Sequence, residues 1–117
     1  MATIKTVRMP GLVEVADPGN GGAVTIADHH NMVCILTSAG AETRNMPIPR
    51  FVGQVCVLSV DVAGGNIVVN VAGDGNVAGA DEITFTAASQ TARLVGVKLA
   101  GALRWRLTTT DPAGLLA

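Results

Sequence analysis

The chain has 117 residues, a net charge of -1, 49% hydrophobic residues, only 15% charged residues and 3% aromatics. That length fits one domain able to bury its own core. The charge balance excludes a general nucleic-acid binder, and no run of apolar residues is long enough for a transmembrane helix.

In chain order, short Val/Ile/Leu/Thr runs alternate with Gly, Asn, Asp and Pro, and no stretch holds a helical period. The first run is Thr3 to Met9, ended by Pro10-Gly11; it lacks the apolar core of a signal peptide. Leu12 to Val15 follows, closed by the turn cluster Asp17-Pro18-Gly19-Asn20-Gly21-Gly22. Ala23 to Ala27 reads as a strand and Asp28 to Asn31 as a polar turn. Met32 to Thr37 is a continuous apolar run, the pattern of a strand buried on both faces.

Ser38 to Pro49 reads as the longest break, because Pro47 and Pro49 cannot sit in a central strand. Gln54 to Val62 and Asn66 to Val71 are predicted to form a hairpin through Ala63-Gly64-Gly65. A connection rich in Gly, Asn and Asp covers Gly73 to Asp81. Glu82 to Thr86 places Ile83 and Phe85 on one face. Ala92 to Leu99 places Val95, Val97 and Leu99 together, expected to face the core. After the tight Ala100-Gly101, Ala102 to Thr109 carries Leu103, Trp105 and Leu107 inward and Arg104 and Arg106 outward. The expected fold is all-β: a single compact sandwich or barrel, jelly-roll-like, of about eight to ten short strands, spanning 1–117 with 1–10 as an N-terminal arm.

Candidate chemistry is sparse. His29 and His30 are adjacent, so on an extended chain they diverge, and a zinc site needs three convergent ligands. Gly73-Asp74-Gly75-Asn76 lacks the spacing and distal Glu of a calcium loop. No Gly-x-Ser-x-Gly nucleophile elbow or phosphate-binding loop occurs. No catalytic, cofactor or metal residue is assigned. Cys34 and Cys56 lie in apolar runs and read as two buried free thiols. The low charge content predicts that part of the surface is covered by another subunit.

Two segments, Ala39 to Val57 (AGAETRNMPIPRFVGQVCV) and Ile83 to Leu107 (ITFTAASQTARLVGVKLAGALRWRL), resemble small β-structured capsid decoration (cement) or head proteins of tailed bacteriophages. The resemblance implies a structural, non-enzymatic virion protein, made in the host cytoplasm, that binds the outer surface of an icosahedral capsid and stabilises it. Its implied partners are the major capsid protein and its own copies, commonly as trimers. No nucleic acid, membrane, small molecule or cofactor is implied. The expected contacts are Ile4, Lys5, Val7 and Arg8 of the arm, an exposed loop carrying Arg44, Met46, Ile48 and Arg50, and the outward pair Arg104 and Arg106. A spike, fibre or host-adhesion module that binds a receptor or glycan is the alternative, disfavoured by the scarcity of aromatic rings.

Overall fold

The computed structural model describes residues 12–71 and 81–111. Among them are nine strands and no helix: β1 (Leu12–Val15), β2 (Gly22–Ala23), β3 (Asn31–Ser38), β4 (Glu42–Met46), β5 (Val55–Ala63), β6 (Ile67–Val71), β7 (Glu82–Phe85), β8 (Thr91–Leu99) and β9 (Ala102–Asp111). They form a five-stranded sheet, order β1-β3-β5-β8-β9, and a four-stranded sheet, order β2-β4-β6-β7. The all-β, sandwich-like expectation holds. Residues 1–10, with Ile4, Lys5, Val7 and Arg8, lie outside the described residues, as does 72–80.

The wiring is not that of a jelly roll, whose strands are antiparallel. From β1 to β6 the chain alternates between the sheets, and each strand lies parallel to the one two places earlier. The chain is thus wound as successive coils, each giving one strand to either sheet. β7, β8 and β9 then return antiparallel and complete the stack.

This winding corrects the predicted hairpin. β5 and β6 lie in different sheets, and Gly64-Gly65 is a corner between them. The glycines serve close approach. A Cβ at Gly65 would meet the Ala41 nitrogen at 2.5 Å, and one at Gly64 would meet the Ala39 carbonyl. The Gly64 N–H donates to the Ser38 carbonyl at 2.9 Å, which ties this corner to the one before it. The Ala100-Gly101 turn is a true hairpin, with φ of 50° and 82°, the paired positive values of a tight two-residue turn.

One core fills the space between the sheets. Met32, Cys34 and Leu36 of β3, Cys56 and Leu58 of β5, Leu94 of β8 and Trp105 of β9 face Met46, Ile67, Val69, Ile83 and Phe85. Trp105 and Leu107 point inward as expected, and Ile83 and Phe85, expected to share a face, share the inward one. Three other expectations are corrected. The strand expected over Ala23 to Ala27 shrinks to Gly22–Ala23. β3 is buried on one face only, since Ile35 is 37% exposed. The inward face of β8 is Ala92, Leu94 and Gly96, so Val95, Val97 and Leu99 lie on the outside.

Cys34 and Cys56 are free and fully buried. Burial raises the Cys34 thiol to about 11, with the Asp17 charge adding to the rise and Arg44 opposing it. Burial, with a smaller contribution from Cys34, pushes Cys56 far above the ordinary thiol range. Because the thiolate is the reactive form, the native protein should not react with a thiol reagent at about pH 8, whereas the unfolded chain should titrate both cysteines. Reaction of either thiol in the native state at the unfolded rate would contradict this packing.

Candidate functional site

The feature most suited to a function is the loop between β4 and β5, Pro47 to Gly53. Alternate prolines keep it out of either sheet, and contacts from four directions hold it. The Trp105 indole N–H donates to the Pro47 carbonyl at 2.6 Å. The Gly53 N–H donates to the Gly96 carbonyl at 2.8 Å, and the Gly96 N–H donates to the Gln54 carbonyl at 2.7 Å. The Arg50 N–H donates to Gln54 Oε1 at 2.8 Å. Gln54 Nε2 donates to the carbonyls of Ala27 and His30 at 2.7 and 2.8 Å. The fully buried Gln54 amide therefore clasps this loop to the β2–β3 connection.

Pro49 is buried over Gly96, where a Cβ would come within 3.0 Å of the proline Cβ. Apart from Arg50, the side chains the clasped loop leaves outside are apolar. Ile48 is 46% and Val52 61% exposed, and the Arg50 side chain lies between them in sequence, itself 57% exposed. Exposed aliphatic side chains on a fixed backbone lose little conformational entropy when covered, which is what a binding contact requires. Arg50 Nε lies 3.4 Å from Asp28 Oδ1 across a shallow cleft also lined by His29 and Phe51. Both charged groups are largely exposed, so this pair contributes little to stability.

Two of the expected loop contacts are corrected. Arg44 and Met46 are strand residues of β4, 0% and 1% exposed, and are not available at the surface. Met46 fills the core. Arg44 Nε and Nη2 donate to Asp17 Oδ1 and Oδ2 at 2.7 and 3.1 Å, and Nη2 lies 2.9 Å from Glu42 Oε1. Nη1 and Nη2 also donate to the carbonyls of Thr43 and Thr37. Burial alone would raise the Asp17 pKa, but the bonds from Arg44 and the N–H groups of Thr37 and Gly19 outweigh it and lower it. The same Asp17 bond holds Arg44 protonated against its own burial. This cluster joins the first coil to the second, and its role is structural.

Arg104 and Arg106 lie half-buried on the outer face of β9, as the alternation implied. His29 and His30 are exposed and lie in the β2–β3 connection. Among the described residues no group of three His, Cys, Asp or Glu side chains converges as a metal site would require. The Ser38 hydroxyl is engaged by the Gly65 carbonyl at 3.3 Å. Sequence reasoning passed over Val52 and Gln54. A Gln directly after a Gly, ahead of a strand, gave no sign that its amide would reach back to Ala27 and His30.

No protein-family model matches the chain, and no curated protein gives a match to it.

Proposed function

We propose that this protein is a structural, non-enzymatic component of a phage virion that docks on the outer surface of an icosahedral capsid and stabilises it as a decoration (cement) protein. The observation that carries the reading is the clasped Pro47–Gly53 loop, which holds Ile48 and Val52 in solvent on either side of Arg50. The phage-like Gly-Ala-Glu-Thr-Arg-x-x-Pro-x-Pro signature, Gly40 to Pro49, runs directly into this loop. In this reading β4 and its buried Arg44 anchor the loop, and Ile48, Arg50 and Val52 touch the capsid protein. A contact of a few side chains is weak singly. Many copies on one shell, each bridging neighbouring capsid subunits, stabilise it through multivalency and preferential binding to the assembled state.

The test is to add the protein to undecorated capsids, sediment them, and heat the washed particles. Saturable co-sedimentation at a fixed copy number, with a raised capsid melting temperature, is expected. Absence of binding, with the protein located at the tail or on host cells, would replace this reading with the adhesion one.

A further inference from the structure

The two sheets present different outer faces. The outward residues of the four-stranded sheet are mostly polar: Thr43, Asn45, Asn70, Glu82 and Thr84, with Val68 among them. Asn45 and Asn70 hydrogen-bond each other across the strands at 3.3 Å. That is the ordinary face of a sheet in water. The five-stranded sheet carries an apolar strip of Val33, Ile35, Val55, Val57, Val95 and Val97 on its outward side, bounded at one end by Ser59, Asp61 and Thr91.

The charges around this apolar strip are ordered. Glu14, Val33, Val57 and Arg93 stand side by side in one row across β1, β3, β5 and β8. In the next row Val55 neighbours Val95, which neighbours Arg106 of β9. Along β5 the outer side is apolar at Val55 and Val57 and turns polar at Ser59 and the exposed Asp61, while the β1 edge carries Glu14 and the β8–β9 edge carries Arg93 and Arg106. Among the residues whose side chains are described, no carboxylate forms an ion pair with Arg93 or Arg106.

Such a face is complementary to itself in one arrangement. A two-fold axis running across the strands would lay arginines over arginines. A two-fold axis along β5 lays the β1 edge of one copy over the β8–β9 edge of the other. Each Glu14 then falls beside Arg93 and Arg106 of the opposite copy, about one strand spacing from Arg93, with Val57 near the axis. We propose that two copies of this chain pair face to face through the outer side of the five-stranded sheet, about a two-fold axis along β5, with Glu14 of each copy bonded to Arg93 and Arg106 of the other. An isologous face closes on a pair, so this contact gives a dimer where the phage resemblance implies trimers. The flat area is roughly 20 by 20 Å from strand spacing. That is below the about 800 Å² per partner of a standard interface, so the pair is expected to be weak and concentration-dependent.

This inference does not depend on the capsid reading and is tested on the full chain alone, by sedimentation velocity up to about 500 µM at low salt. Wild type should show a concentration-dependent dimer that weakens as salt rises. Glu14→Arg alone, and Arg93→Glu with Arg106→Glu in a second protein, should each dimerise at least about ten-fold more weakly, because like charges then face each other. An equimolar mixture of the two variants should recover wild-type affinity as a heterodimer, which also shows that both are folded. Val57→Asp should abolish pairing. A monomer at all concentrations, single variants that pair like wild type, or a mixture that stays monomeric while both circular dichroism spectra remain native would each overturn the proposal.

Discussion

Replacing Arg44 by Ala should cost about 3 kcal/mol. Arg44 is fully buried, and its guanidinium serves two carboxylates and two main-chain carbonyls. Removing it strands Asp17 and Glu42, whose side chains are only 20% and 16% exposed, without their cation. Water reaches both carboxylates in part, which keeps the loss near the lower end for a broken buried pair. For a domain of this size that corresponds to a fall in Tm of roughly 12 °C. Urea unfolding read by circular dichroism measures it, and a loss below about 1 kcal/mol would refute the assigned role.

The same cluster sets an acid dependence. The Asp17 pKa is lowered in the folded state. Its ionised form therefore contributes stability above its unfolded value, about 3.9, and that contribution is lost as pH falls through the depressed folded value. Wild type should lose stability below about pH 4 more steeply than Arg44→Ala, in which the cause of the depression is gone.

The second large effect is at Gly96. A Cβ there would lie 2.6 Å from the Phe51 carbonyl oxygen and 3.0 Å from Pro49 Cβ. The Gly96 N–H and carbonyl also make the two bonds that seat the loop on β8. Gly96→Val should lift Pro47–Gly53 from β8 and cost about 3 kcal/mol by overpacking. It should also withdraw the Pro47 carbonyl from the Trp105 indole. Trp105 is the chain's single Trp and is fully buried, so its emission should shift to longer wavelength in the folded variant. Gly96→Ala should do the same to a smaller degree. An unchanged emission maximum with unchanged stability would contradict the clasp.

How much of this was legible in the sequence follows from which forces act locally. Strand number and the all-β class were, because Gly, Asn, Asp and Pro punctuate apolar runs at strand spacing. Trp105 and Leu107 could be placed inside, and Ile83 and Phe85 on one common face, from period-2 alternation alone. β4 could not. Glu42-Thr43-Arg44-Asn45-Met46 reads as polar, and its inward side becomes intelligible only when Asp17, from the preceding coil, meets Arg44. The winding was equally hidden. Gly64-Gly65 carries a hairpin signature, yet its glycines admit the Ala39–Ala41 corner of another coil. On β8 the alternation was right and its face wrong: Gly96 looks like a gap in a strand, but it is the inward position where Pro49 and Phe51 settle. Of the candidate contacts, Ile48 and Arg50 reach the surface because the prolines hold them out of the sheets, whereas Arg44 and Met46 continue β4 into the core.

The docking role of the Pro47–Gly53 loop can be tested with Ile48→Asp/Val52→Asp set beside wild type in the capsid sedimentation experiment. Both side chains are solvent-exposed, so the variant should keep native stability and native Trp105 emission while losing shell binding and the associated rise in capsid melting temperature. A folded double variant that decorates and stabilises capsids like wild type would contradict the assignment of this loop as the docking surface.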